Sequence, residues 1–132
     1  MVEEAGLAGR VTVEAGDIVR APPPGRYDAA ILCAVVQILA PEAAAVAVRH
    51  AVAALTPGGV LYIGGRGIVQ DDRLTPGIAA LFNLVFLNLY EQGRSYTWSE
   101  YAGWLADAGC RDPQRAMLPD GTQVIWARKP GV

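Results

Sequence analysis

The chain has 132 residues, of which 52% are hydrophobic and 18% are charged, and its formal net charge is -2. This length corresponds to one domain, and the composition is that of a globular protein rather than of a disordered one. The 11 Lys and Arg residues are scattered along the sequence, which therefore lacks the basic patch that nucleic acids or acidic membranes bind.

The sequence carries no sign of export or of membrane insertion. Its first residues lack the basic and apolar regions of a signal peptide, and no apolar run reaches the roughly 18 residues that a membrane-spanning helix needs. Cys33 and Cys110 have no partner at a metal-ligand or redox spacing. We therefore expect a cytoplasmic protein with free thiols and no bound metal.

The N-terminal part of the chain predicts two strands joined by a loop. Residues 11–15 alternate between apolar and polar side chains and end at Gly16-Asp17, a pattern typical of a short strand that runs into a turn. Three consecutive prolines, at positions 22–24, cannot lie in a helix or an inner strand. Residues 27–36 are almost continuously apolar, as expected of a parallel strand covered by helices on both faces.

The central part predicts a helix, a strand and a second helix. Residues 41–55 are alanine-rich, with Pro41 at the first helical position, and residues 60–63 form a short apolar run after a Gly-Gly turn. The spacing of strand, helix and strand predicts a right-handed crossover between parallel strands. Residues 78–90 are apolar around most of a helix circumference, which indicates a helix that is buried, lines a pocket or contacts a partner.

The C-terminal part predicts a capped helix and a hairpin. Thr97 and Glu100 have the spacing of a capping box, and Gly109 ends the helix that follows. Residues 115–117 and 123–128 flank a Pro-Asp-Gly turn and predict an antiparallel hairpin. Three aromatic residues recur at helical spacing, and we expect them in the core rather than in an aromatic cage: Trp98, Tyr101 and Trp104.

Six short motifs follow one another in a particular order: residues 5–11, Ala15-Gly16-Asp17, residues 55–59, Gly93-Arg94, Thr97-x-x-Glu100-Tyr101 and Ala108-Gly109. In this order and spacing they resemble the class I S-adenosylmethionine-dependent O-methyltransferases that act on small molecules in plants and in bacterial natural-product pathways. The resemblance covers almost the whole chain. It implies that residues 1–132 are the C-terminal part of a methyltransferase-like catalytic domain, with an α/β, Rossmann-like fold.

The family resemblance implies a sheet of strand order 3-2-1-4-5-7-6, with the cofactor at the carboxyl ends of the strands. Residues 11–15 would be the third strand, residues 27–36 the fourth, residues 60–63 the fifth, and the hairpin the last two. The first two strands, the Gly-x-Gly-x-Gly loop and the acidic residue that holds the ribose have no counterpart. Because the third strand then has no neighbour, we expect a reorganised sheet, a homo-oligomer or a partner chain that supplies the missing half.

The resemblance also implies where a cofactor and an acceptor would lie. S-adenosylmethionine would contact Gly16, Asp17 and Ile18 on its adenine side, and Cys33 at the end of the next strand. A turn or cap residue is the structural alternative for Asp17. The apolar helix would line the acceptor pocket, although a core role is favoured for its candidate acceptor residues: Phe82, Asn83 and Phe86.

Gln37 stands where the family's Val-Leu-His signature places the histidine that deprotonates the acceptor. A glutamine amide can position a hydroxyl group but cannot take its proton. The acidic residues that orient this histidine fall at about Gly65 and Ser95. These departures leave three hypotheses: methyl transfer by proximity, another reaction in the same pocket, and a noncatalytic remnant or binding module that associates through the apolar helix and a free sheet edge.

Two other polar positions have structural interpretations. His50, the only histidine, falls late in the alanine-rich helix and is expected to be a helix-end cation or a half-buried core residue. Asp71 and Asp72 form a two-carboxylate run without a third ligand nearby, so a solvated surface is favoured over a metal site.

Overall fold

The computed structural model describes residues 1–131 as an α/β fold with one four-stranded sheet and one two-stranded pair. A short 3-10 turn, Val36–Ile38, follows the first strand. In chain order the strands and helices are β1 (Tyr27–Cys33), α1 (Pro41–Ala53), β2 (Leu55–Gly65), β3 (Ile68–Val69), α2 (Gly77–Leu89), β4 (Tyr96–Thr97), α3 (Trp98–Asp107), β5 (Arg111–Met117) and β6 (Gln123–Arg128).

The main sheet has the strand order β1-β2-β6-β5. β1 and β2 are parallel, whereas β6 is antiparallel to both β2 and β5. This arrangement reproduces the 4-5-7-6 portion of the strand order that the family resemblance implies. The predicted crossover through α1 and the predicted C-terminal hairpin are both confirmed.

Local sequence signals determine where the helices begin and end. Pro41 occupies the first turn of α1, where its missing N–H would have no intrahelical partner. At the start of α3, Thr97 Oγ1 accepts the Glu100 N–H at 3.2 Å, and Glu100 Oε2 accepts the Thr97 N–H at 2.7 Å. The predicted capping box is therefore confirmed, and Gly109 follows the helix with a φ of +88°.

The core lies between one face of the sheet and the helices α1 and α3. Leu61, Ile63 and Ile125 of the sheet are at most 1% exposed and belong to the same cluster as Val48 of α1 and Leu105 of α3. Aromatic rings of α3 pack edge to face against the ring of Tyr96, as predicted for a core rather than a cage. Tyr101 is buried, whereas Trp98 and Trp104 are partly buried against the cluster.

The opposite face of the sheet is open near β1. Ile31 is 71% exposed, and it pairs across the sheet with Tyr62, which in turn pairs with Trp126. Tyr62 and Trp126 are half-buried, and their ring centroids are 6.5 Å apart. Strands that alternate their side chains thus bury one row beneath α1 and α3 and leave the other row facing outward.

The prediction of a strand at residues 11–15 is wrong. These residues have no regular secondary structure, and Val11 and Val13 are 42% and 79% exposed. An alternating pattern forms a strand only when a neighbouring strand satisfies its backbone N–H and C=O groups, and the described chain offers none beside this segment. β1 also ends earlier than predicted, since Ala34 adopts a left-handed φ of +56°.

Acid is expected to destabilise the fold through the cap of α3. Burial acts to raise the pKa of Glu100, but hydrogen bonds from the Thr97 N–H and from Arg73 outweigh it and hold this pKa below its ordinary value of 4.5. A lowered pKa stabilises the fold above the unfolded value and loses that contribution as the pH falls. Urea unfolding between pH 7 and pH 3 should therefore show a falling free energy of unfolding below about pH 4.5.

In Glu100→Gln this fall should be shallower, because the neutral amide removes one of the titrating groups. Glu91→Gln is the matched control, since Glu91 is exposed and lies outside the cap. An unchanged pH dependence in Glu100→Gln would contradict the assignment.

Candidate active site

Gln37 lies at the carboxyl ends of the two parallel strands, in the turn that follows β1. Its side chain is 6% exposed, and a Cβ placed on Gly65, the last residue of β2, would lie 3.4 Å from both Nε2 and Oε1 of Gln37. The backbone N–H of Arg94 donates to the Gln37 carbonyl oxygen at 2.8 Å. The fold thus places Gln37 beside Gly65 and next to the segment that carries Ser95.

The carboxamide of Gln37 has no protein partner in the hydrogen-bond network of residues 1–131. Its amide atoms are not fully enclosed, since the one enclosed polar side-chain atom without a partner among residues 1–131 is Arg94 Nε. The position beside Gly65 therefore offers one donor and one acceptor to a molecule bound there, but no group there can remove a proton near neutral pH.

The inner side of α2 meets this region through Phe86 and Asn83. Phe86 is 7% exposed and packs closely on Gly67, where an added Cβ would overlap its ring. Asn83 Oδ1 accepts the Ser95 N–H at 2.8 Å, and the Ser95 hydroxyl donates to the Ala79 carbonyl oxygen at 3.1 Å. Ser95 thus ties α2 to the start of β4.

The outer side of α2 is exposed, so a buried helix is the wrong interpretation of its apolar sequence. Within α2 only Ala79 and Phe86 are buried, and Phe82 and Asn83 are half-buried. Nothing in the described chain lies over the rest of the helix. The exposed apolar side chains, between 43% and 68% exposed, are Ile78, Leu81, Leu84, Val85, Leu87 and Leu89.

The predicted cofactor residues do not all come together. Gly16, Asp17 and Ile18 line an open groove of about 760 Å³ formed by residues between 10 and 27. Asp17 itself behaves as a turn residue, because its Oδ1 accepts the Val19 N–H at 2.9 Å and its Oδ2 lies 3.3 Å from Arg20 Nε. Cys33 is exposed at the end of β1 and does not line this groove.

His50 has a role that the sequence alone did not reveal. It is half-buried in the last turn of α1, and its Nδ1 lies 2.7 Å from the Ile18 carbonyl oxygen. The ring thereby links the N-terminal segment to the helical layer across 32 residues of sequence. No local pattern predicts such a contact, because it depends on the tertiary path of residues 11–26.

The two adjacent carboxylates, Asp71 and Asp72, organise a loop. Asp71 accepts hydrogen bonds from the Ser99 hydroxyl at 2.6 Å and the Ser99 N–H at 3.1 Å, and Asp72 accepts the N–H groups of Leu74 and Thr75. These hydrogen bonds lower the pKa of both carboxyl groups. Asp71 thus ties this loop to the first turn of α3, and Asp72 holds the backbone of the loop itself.

No protein-family model matches the chain. Among curated proteins it is similar to the 3-hydroxy-5-methyl-1-naphthoate 3-O-methyltransferase of Streptomyces sahachiroi, with 32% identity over 126 residues that cover 94% of this chain and 36% of that protein. It is also similar to the L-tyrosine C(3)-methyltransferase of Streptomyces lavendulae, with 34% identity over 133 residues that cover 97% and 36%.

A solved structure agrees with these relatives. The O-methyltransferase family 2 protein of Planctomyces limnophilus, in complex with apigenin, matches 97% of this chain with a TM-score of 0.85 and 28% identity. The chain is similar in sequence and in fold to class I O-methyltransferases. It spans the C-terminal part of their fold and little more than a third of the length of the relatives it matches, 36% to 38% in these three.

Across residues 1–131, no helix is both long enough and apolar enough to cross a membrane.

The close contact of Gly67 with Phe86 predicts opposite effects at two glycines. Gly67→Ala should lower the free energy of unfolding by about 1–3 kcal/mol, because the new methyl group would displace the Phe86 ring. Gly103→Ala, on the exposed side of α3 with open space around it, should raise it by about 0.5–1 kcal/mol. Urea denaturation measures both, and equal effects would contradict the close approach of α2 to Gly67.

Proposed function

We propose that this chain forms the acceptor-binding part of an S-adenosylmethionine-dependent methyltransferase of natural-product biosynthesis. The observation that carries the proposal is the position of Gln37, a largely buried residue whose carboxamide lies beside Gly65 at the carboxyl ends of parallel strands, where ligands bind in such sheets. The named substrates of the Streptomyces relatives and the apigenin bound to the Planctomyces protein are aromatic hydroxyl compounds. A phenolic acceptor is therefore the substrate class that we propose.

The chain's residues fit one wall of a cofactor site. The groove at Gly16, Asp17 and Ile18 is open, and Cys33 lies exposed outside it at the end of β1. The sequence has no Gly-x-Gly-x-Gly loop to let its backbone approach the rest of the molecule. We propose that a longer form of this chain, another chain or a second copy completes the site, and that S-adenosylmethionine, when bound, supplies the methyl group of its sulfonium.

The acceptor side relies on positioning rather than on proton removal. Gln37 Nε2 donates a hydrogen bond to the oxygen of the ionised acceptor and thereby orients it, while Phe82, Asn83 and Phe86 form the adjoining wall from α2. Orientation of a reactant lowers the entropic part of the barrier. Because Gln37 cannot act as a base, the proposed acceptor is a phenol acidic enough to ionise without one.

We place the protein in the cytoplasm, where Cys33 and Cys110 stay reduced.

The second candidate function is a noncatalytic binding module. The exposed apolar side of α2 favours it, because contiguous apolar surface of this kind usually marks an interaction site. In that case the replacements at Gln37, Gly65 and Ser95 would reflect a lost activity. Association through α2 and the free sheet edge would then be the whole function.

Binding of S-adenosylhomocysteine separates the two functions. The partner for this test is the N-terminal portion of the Streptomyces sahachiroi methyltransferase, up to the start of its similarity to this chain, co-expressed with it. Titration calorimetry combined with light scattering should show saturable binding at one site per complex, and little binding by the chain alone. A folded complex that binds no cofactor would support the binding module instead.

Replacement of Gln37 tests the acceptor side. In an active complex, Gln37→Ala should lower kcat/KM about tenfold through the loss of one positioning hydrogen bond. The matched control Gln114→Ala, on the exposed surface of β5, should leave it unchanged. The pH dependence of kcat/KM should follow the pKa of the phenol used and move with it from one acceptor to another, and activity insensitive to Gln37→Ala would overturn the assigned role.

A further inference from the structure

We propose that Arg66 binds the oxygen of the acceptor and holds the acceptor in its ionised, phenolate form. The inference rests on the proposed function, in which Gln37 orients the acceptor but cannot remove its proton. It assigns to a protein side chain the positive charge that favours an anion in this position. The acceptor hydroxyl loses its proton to bulk water, and the arginine lowers the free energy of the phenolate that remains.

Arg66 lies at the edge of the sheet that carries the proposed acceptor site. It follows directly on Gly65, the last residue of β2, where an added Cβ would lie 3.4 Å from Nε2 of Gln37. Gly67 follows Arg66, and an added Cβ there would overlap the ring of Phe86. Arg66 is therefore the link between two glycines that contact two different walls of the site.

The side chain of Arg66 is available to a ligand. It is exposed, and none of the ion pairs among residues 1–131 includes it. An arginine carries its charge at the end of a long stem and presents five N–H donors. The glycines on both sides of it have no side chain that would block its movement over the edge of the sheet. The guanidinium group can thus turn toward an oxygen bound beside Gln37.

The other side chains at the proposed site leave this charge without competition. A second cation, Arg94, is engaged elsewhere, because its guanidinium carbon lies 5.3 Å from the ring centroid of Tyr96, which is buried in the core. Cys33, at the end of β1, carries a thiol and pairs in the sheet with Gly64. The remaining side chains that border the site are uncharged: Gln37, Phe82, Asn83, Phe86 and Ser95.

The acidic group that faces Arg66 is Asp120, in the turn between β5 and β6. Hydrogen bonds from Thr122 lower the pKa of Asp120 most, and the charge of Arg66 lowers it further. The two carboxylate oxygens of Asp120 accept the N–H and the hydroxyl group of Thr122 at 2.9 Å and 3.0 Å. Asp120 is therefore held in its own turn and forms no close ion pair with Arg66.

Together, Arg66 and Gln37 offer two donors to one oxygen. The amide of Gln37 fixes the direction of the hydrogen bond, whereas the guanidinium group supplies charge. A positive charge within about 4–6 Å lowers the pKa of an acid by roughly 1–3 pH units. Because Arg66 is exposed and solvent screens its charge, we expect a fall of about one pH unit in the pKa of a bound phenol.

The ionisation of a bound phenol tests the role of Arg66 in the chain alone. The probe is 7-hydroxycoumarin, whose absorption spectrum differs between the phenol and the phenolate, titrated with alkali in the absence and presence of saturating chain. Binding should lower the midpoint by about one pH unit. In Arg66→Gln the midpoint should return to that of the free probe, and Arg66→Lys should keep part of the fall because it keeps the charge.

Two controls separate the charge effect from a loss of binding. Arg111→Gln is the matched variant, because Arg111 is exposed and pairs with Arg128 at the end of the sheet opposite to Gly65. Its midpoint should equal that of the unmodified chain. The ether 7-methoxycoumarin cannot ionise, and it should bind equally to the unmodified chain and to Arg66→Gln.

The outcomes distinguish this inference from the proposed function. A midpoint that the chain does not change, or one that falls equally in Arg66→Gln, would overturn the role of Arg66 even if methyl transfer is observed. A probe that does not bind would overturn both proposals. A fall that depends on Arg66, in a protein that transfers no methyl group when its cofactor site is complete, would overturn the proposed function alone.

Discussion

The backbone N–H and C=O groups along the outer edge of β1 have no neighbouring strand, and this determines which parts of the chain form regular structure. Each strand of a sheet depends on a neighbour for its N–H and C=O groups. β2, β5 and β6 supply neighbours on one side, and the chain buries a core against α1 and α3 there. On the other side the neighbours are absent, so a strand-like segment stays irregular and one sheet face stays open. The described chain therefore has a packed, fully paired sheet at its C-terminal side and an unpaired strand edge at β1.

The elements that could be predicted from the sequence are those specified by local signals. Pro41 at the start of α1, the Thr97 and Glu100 pair at the start of α3, and the turn between β5 and β6 act within a few residues. The strand at residues 11–15 and the burial of α2 could not be predicted correctly, because pairing and burial depend on what lies opposite. Composition reveals that α2 is apolar, but not that its outer side has no cover.

The same distinction applies to the candidate site. The position of Gln37 after β1 followed from the order of motifs, and the structure places it beside Gly65 and close to the segment of Ser95. The three positions at which the resemblance implies departures from the family pattern thus lie in one region. The predicted cofactor residues Asp17 and Cys33 do not line one groove. The described residues form no strand between the segment of Asp17 and β1, which ends at Cys33.

The central claim is that the acceptor side of a methyltransferase site is already formed in this chain. The most direct test is a titration of the isotope-labelled chain with apigenin, followed through its backbone and side-chain amide resonances. The account predicts that the Gln37 amide signals shift in a saturable manner and those of Gln114 do not. Shifts confined to the exposed side of α2, with Gln37 unaffected, would contradict it and support the binding module.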